Sequence, residues 1–124
     1  MSSESLHEPA EKLSPATIDG DRANVWLMEE LEAVDWYDQR IDAATDAELK
    51  AILRHNRDEE KEHAAMVLEW LRRHDPVLDQ QLRTYLFKDG DIMSVEAEAE
   101  GGAGEEASEG CLGIGDLRSE EVAP

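Results

Sequence analysis

The chain has 124 residues, and its 31 acidic and 12 basic side chains give a formal net charge of −19. A chain this short holds at most one small domain. A surface this acidic repels nucleic-acid phosphates, and the sequence has no basic amphipathic stretch for an anionic membrane. Residues 91–124 carry 10 of the acids and one of the bases. A stretch so charged and so poor in large apolar residues is not expected to bury a core, so the foldable part is roughly the first 90 residues.

The first residues contain no basic stretch followed by an apolar run, and no apolar run in the chain is long enough to cross a membrane. The sequence therefore predicts no signal peptide and no spanning helix. We expect the protein to stay inside the cell. Cys111 is the single cysteine, which excludes an internal disulfide, a cysteine-only zinc site and a rubredoxin-type iron centre.

A first helix is predicted to begin at Ser14-Pro15, after a flexible N-terminus of residues 1–13. Serine is a good N-cap because its hydroxyl accepts a hydrogen bond from an otherwise unpaired amide, and proline at the next position loses no helical bond. We expect this helix to continue to about Ala43.

A second helix is predicted to open at Thr45, where Thr45 and Glu48 form a capping box, and to end near His74. The loop between the two helices has only one or two residues. Two long helices joined so tightly lie antiparallel, as a hairpin.

A third, shorter helix is predicted to begin at Asp75-Pro76, so that the helical domain covers 14–88. An acidic, glycine-rich linker of 89–110 follows. The apolar residues of segment 111–118 then suit a docking peptide, although chance apolar residues are common in glycine-rich tails. Residues 119–124 are a short tail.

Three polar residues occupy positions in the apolar stripes of the two long helices. At 3.6 residues per turn, Glu30 lies at the centre of the first stripe, and Glu60 and His63 lie one above the other in the second. The first stripe comprises Ala23, Trp26, Leu27, Ala33, Val34, Tyr37 and Ile41. The second comprises Leu49, Ile52, Leu53, Ala64, Val67, Trp70 and Leu71.

Buried carboxylates must be protonated, ion-paired or bound to a cation. An ion-paired core is the simpler reading, but lysine and arginine occur only at the margins of both stripes. A dinuclear carboxylate site in a four-helix bundle uses one Glu from each of two helices and Glu-x-x-His from each of the other two. Glu30 with Glu60 and His63 is half of that set, which predicts a homodimer with the site in its interface. The ligands suit iron or manganese, although zinc or copper would compete.

Tyr37 lies two turns beyond Glu30, where its hydroxyl could bond a ligand carboxylate or belong to the core. A second acidic group lies off the apolar stripes. It could gather cations for the buried site, or simply be a solvated helix surface. Its members are Glu29, Glu32, His55, Glu59 and Glu62.

Residues 28–37 (MEELEAVDWY) and 55–64 (HNRDEEKEHA) closely resemble the encapsulated ferritins, and 112–117 (LGIGDL) resembles the targeting peptide of their cargo. The resemblance implies an all-α fold in which the two-helix hairpin plus a short C-terminal helix dimerises into a ferritin-like four-helix bundle. It implies ferroxidase activity, the oxidation of Fe(II) by O₂, at two iron ions per dimer interface. Glu30, Glu60 and His63 would bind iron, with Tyr37 beside them, and the second acidic group would be entry or secondary metal sites.

The same resemblance implies a ring of dimers inside an encapsulin nanocompartment in the bacterial cytoplasm, where Fe(III) is stored as mineral. The tail would dock on the shell through an extended peptide. Its docking residues would be Leu112, Gly113, Ile114, Gly115 and Leu117.

The chain departs from the family pattern at four positions: Gly20, Asp21, Trp26, which takes a position that is usually small, and Asp116, where serine is common. Two other functions stay open from the sequence. One is a non-catalytic metal-binding helical cargo or adaptor, and the other is a di-iron peroxidase of the rubrerythrin kind.

Overall fold

The computed structural model describes the backbone of residues 6–108 and the side chains as far as residue 101. A short 3-10 turn at Ala10–Lys12 precedes four α-helices. The described part of the chain is therefore all-α, as predicted. The helices are α1 (Pro15–Ala43), α2 (Ala47–Arg73), α3 (Pro76–Tyr85) and α4 (Ile92–Ser108). No helix in the described range is long and apolar enough to cross a membrane.

Helix α1 begins and ends where the sequence predicts. The Ser14 hydroxyl accepts a hydrogen bond from the Thr17 amide at 3.1 Å, and Pro15 occupies the first turn. Serine satisfies an amide that has no partner within the helix, and proline has no amide to satisfy there. The N-cap prediction is confirmed.

Helix α2 is capped by a different residue from the one predicted. Asp46, not Thr45, is the N-cap, and its Oδ2 accepts from the Leu49 amide at 2.9 Å. The predicted capping box of Thr45 and Glu48 is therefore wrong. Asp46 directly precedes the first helical residue and is at least as good a cap as threonine, so it takes the position next to the orphan amides.

Helices α1 and α2 form an antiparallel hairpin, connected by residues 44–46. Arg57 of α2 bonds Asp38 of α1 at 2.9 Å, and further along α2, His63 faces Glu30 of α1. Moving forward along α2 thus means moving backward along α1. The hairpin buries five apolar residues, which form its core: Ala23, Ile41, Ala64, Val67 and Leu71.

Several large residues of the predicted apolar stripes are exposed in the single chain. They are Trp26, Leu49, Ile52 and Trp70. Two helices bury only the strips along which they touch, whereas the apolar stripe of each helix is wider than that strip. The hairpin alone leaves part of its own apolar surface uncovered.

The described residues from 75 to 108 belong to a second compact unit, which begins with the predicted third helix. Asp75 caps α3, its Oδ1 accepting from the amides of Val77 and Leu78 at 3.0 Å. Within this unit α3 packs against α4. The predicted start of the third helix is confirmed.

Most of the segment predicted as linker, 89–110, is helical: α4 covers Ile92–Ser108. The Asp91 carboxylate accepts from the Ser94 amide at 3.1 Å, and the alternating alanines and glutamates that follow are strong helix formers. Most of this linker is thus helical, because helix propensity does not require an apolar stripe. The predicted docking peptide, 111–118, and Cys111 lie outside the described residues.

Candidate metal centre

Three side chains from two helices converge in the middle of the hairpin. His63 Nδ1 lies 3.2 Å from Glu60 Oε1, one turn away on α2, and 3.7 Å from Glu30 Oε2 on α1. One ligand atom from each residue lies within 4.8 Å of the others. The structure therefore brings together the three residues that the stripe argument selected.

The group is buried on one side and accessible on the other. Glu30 is 9% exposed, whereas the side chains of Glu60 and His63 are partly exposed. Burial raises the pKa of Glu30, and the hydrogen bond and charge of Glu60 raise it further. The Trp26 hydrogen bond and the nearby His63 oppose this shift only in part. The carboxyl of Glu30 thus favours a proton or another cation.

Arg57, a cation on α2 that reaches across to α1, does not neutralise Glu30. Its guanidinium bonds Asp38 at 2.9 Å and Asp58 at 3.1 Å. The basic group described next to Glu30 is instead the His63 imidazole, 3.7 Å away. Two carboxylates and one imidazole that meet in this way can hold a metal ion through oxygen and nitrogen.

Trp26 makes a contact in the site that the sequence did not predict. Its indole N–H donates a hydrogen bond to Oε2 of Glu30, four residues later on α1. The spacing alone places the two side chains on one face. Only the side-chain rotamers, which a sequence does not specify, decide whether they bond.

Tyr37 is half-buried on α1, with the Arg40 guanidinium 5.6 Å from the centre of its ring. This cation–π contact is the one that the structure describes for Tyr37. Its predicted hydrogen bond to a ligand carboxylate stays a prediction.

The second acidic group, Glu29, Glu32, His55, Glu59 and Glu62, is exposed throughout. His55 Nε2 lies 3.7 Å from Glu59 Oε2. In the part of the chain that the structure describes, Glu30, Glu60 and His63 are the one group of three potential ligands that meet closely enough for a single ion. Cation entry through the acidic surface remains a prediction.

The three residues lie next to an apolar side of the hairpin. On α2, Ile52 precedes His63 by three turns and Trp70 follows it by two, which places all three in nearly the same direction from the helix axis. Both apolar residues are exposed. Arg57 lies six residues before His63, about 120° away around α2, so its pair with Asp38 is off this side. We call the side with Ile52, His63 and Trp70 the open face.

The family model and the relatives that match this chain have similar descriptions. Residues 5–89 match the family model described as EncFtn-like. An encapsulated ferritin-like protein of Rhodospirillum rubrum is 58% identical, covering 97% of this chain and 92% of that protein. A ferritin-like protein of Thermotoga maritima is 52% identical, with coverages of 87% and 93%.

A shorter match links the chain to EncC, an encapsulin nanocompartment cargo protein of Myxococcus xanthus, 49% identical over 38% of this chain and 36% of that protein. Among solved structures, the crystal structure of protein ne0167 from Nitrosomonas europaea is similar, with 60% identity and a TM-score of 0.69. That match covers 70% of this chain and 96% of the other.

Proposed function

Because this chain belongs to the EncFtn-like family, we propose that it is a ferroxidase, which oxidises Fe(II) to Fe(III) with O₂. The observation that carries the proposal is the convergence of Glu30, Glu60 and His63 within 4.8 Å. Carboxylate oxygens with a single imidazole suit Fe(II), which is the substrate of the reaction.

A single chain supplies half of the ligands of a dinuclear site. In bundles of this kind, four helices contribute four carboxylates and two histidines. Two copies related by a two-fold axis would bring two sets of Glu30, Glu60 and His63 together and would close a four-helix bundle. Ile52 and Trp70, exposed on the same face of α2 as His63, support a second copy of the chain on the open face, because it would cover both.

The two carboxylates and the imidazole have different roles in the proposed reaction. Glu30 and Glu60 supply negative charge that offsets the charge gained when Fe(II) becomes Fe(III), and His63 supplies a neutral nitrogen ligand. Two Fe(II) ions, each losing one electron, reduce one O₂, which with two protons becomes hydrogen peroxide. Holding two ions in one interface delivers both electrons together and avoids free superoxide. The acidic group Glu29, Glu32, His55, Glu59 and Glu62 would raise the local concentration of Fe(II).

We further propose that the product is stored as mineral in an encapsulin shell within the bacterial cytoplasm. The names of the Rhodospirillum and Myxococcus relatives, an encapsulated protein and an encapsulin cargo protein, support this destination. The apolar docking residues Leu112, Gly113, Ile114, Gly115 and Leu117 would bind the shell in extended form. A ring of dimers would be the cargo.

The deciding experiment follows Fe(III) formation and O₂ consumption after Fe(II) is added aerobically to the purified full chain. A ferroxidase consumes O₂ faster than Fe(II) in buffer alone. Metal binding without faster O₂ consumption would instead identify a non-catalytic cargo, and a marked preference for peroxide as oxidant would identify a peroxidase.

A further inference from the structure

The Trp26 indole and the Glu30 carboxylate differ in their access to water as an alternative hydrogen-bond partner. Trp26 is 47% exposed, so water is available to its N–H, whereas Glu30 is 9% exposed. A buried carboxylate without hydrogen-bond donors is costly, while an exposed indole N–H is readily satisfied by water. The bond between them therefore matters chiefly for Glu30.

The bond also decides where the carboxylate points. Oε2, which accepts from Trp26, is the Glu30 oxygen that lies 3.7 Å from His63 Nδ1. A glutamate side chain has three rotatable bonds, and a donor fixed on the same helix restricts them. The indole N–H thus holds Glu30 in the orientation that completes the group with His63 and Glu60.

We propose that Trp26 is a positioning residue of the metal site, whose indole N–H preorganises Glu30 for Fe(II) before the ion arrives. The inference rests on the proposed function in so far as the site takes iron. Outer partners that orient a ligand commonly change metal affinity by roughly 10- to 100-fold when removed. Trp26 would affect metal affinity in this way without binding the metal itself.

The first test uses the metal-free full chain labelled with ¹⁵N on its three tryptophans. Trp26→Phe identifies the Trp26 indole resonance, and Glu30→Gln replaces the acceptor with a neutral amide. We expect Glu30→Gln to move the Trp26 resonance upfield and to leave the Trp36 and Trp70 resonances in place. An unmoved Trp26 resonance would overturn the proposal.

The second test measures Fe(II) affinity by anaerobic equilibrium dialysis. Trp26→Phe keeps an aromatic ring and removes the donor, and we expect about 10-fold weaker binding. The control is Tyr85→Phe, which likewise keeps an aromatic ring and removes its donor, but in α3; we expect wild-type affinity.

The two tests separate this inference from the proposed function. If the wild type binds Fe(II) and Trp26→Phe binds it equally well, the positioning role is wrong and the proposed function stands. If the wild type binds no Fe(II), the proposed function is wrong, and the Trp26 resonance still decides whether the indole holds Glu30.

Discussion

His63 Nδ1 of α2 lies 3.7 Å from Glu30 Oε2 of α1, across the middle of the hairpin and several turns from the connection at 44–46. Glu60 and His63 are placed by one helix turn, but Glu30 reaches them only through the packing of α1 on α2. The candidate site therefore depends on tertiary structure, because its three residues come from two helices.

Replacing any of the three residues should strongly slow catalysed Fe(II) oxidation. We expect Glu30→Ala, Glu60→Ala and His63→Ala to slow Fe(III) formation at least 10-fold, because each removes a ligand. The measurement is the initial rate of Fe(III) absorbance at equal protein concentration. Asp42→Asn, which neutralises an exposed carboxylate near the end of α1, is the control and should keep the wild-type rate. Wild-type rates in all three variants would exclude this site.

The open face should be required for dimerisation. Ile52, 53% exposed, lies on that face, whereas Leu31, 56% exposed, lies on the side of α1 that carries Asp38. We expect Ile52→Glu to shift the Fe(II)-loaded protein from dimer to monomer in native mass spectrometry and to lose oxidation, because a charge is costly to bury. Leu31→Glu makes the same change at matched exposure and should leave the dimer intact. A fully active Ile52→Glu monomer would contradict the half-site argument.

The sequence predicted the hairpin and its three polar residues because these depend on local rules. Ser14 and Asp75 are caps next to prolines, and the 3.6-residue period alone places Glu30, Glu60 and His63 on inner faces. The same period could not show that Ile52 is exposed, because burial depends on which surfaces a partner covers.

Other features depend on competition between neighbours. Thr45 and Asp46 are both acceptable caps, and only the start of α2 at Ala47 decides between them. The Trp26–Glu30 bond requires particular rotamers of two side chains. In segment 92–108, the glycines and the charge predict a linker, whereas the alanines and glutamates favour a helix.

The cap of α2 can be tested with two adjacent substitutions. Asp46→Ala removes the acceptor of the Leu49 amide and should lower the free energy of unfolding by about 1 kcal/mol. Thr45→Ala lies one residue outside the helix and should change it little. Urea denaturation followed by circular dichroism measures both. The reverse order of effects would restore Thr45 as the cap.

The tail should be necessary for entry into a shell. We expect deletion of residues 111–124 to abolish co-purification with a co-expressed encapsulin and to leave Fe(II) oxidation by the free protein unchanged. Leu112→Ser with Ile114→Ser should have the same effect, because the apolar side chains would fill shell pockets. Ser119→Ala is the control substitution. Normal loading of the double variant would exclude docking through these residues.

The helical conformation of Ile92–Ser108 also sets the reach of whatever follows it. Seventeen residues span about 26 Å as an α-helix, at 1.5 Å per residue, against about 58 Å fully extended. A tail that follows this helix would therefore reach less far than one that follows an extended chain of the same length. The effective concentration of a peptide at its binding position depends on that reach.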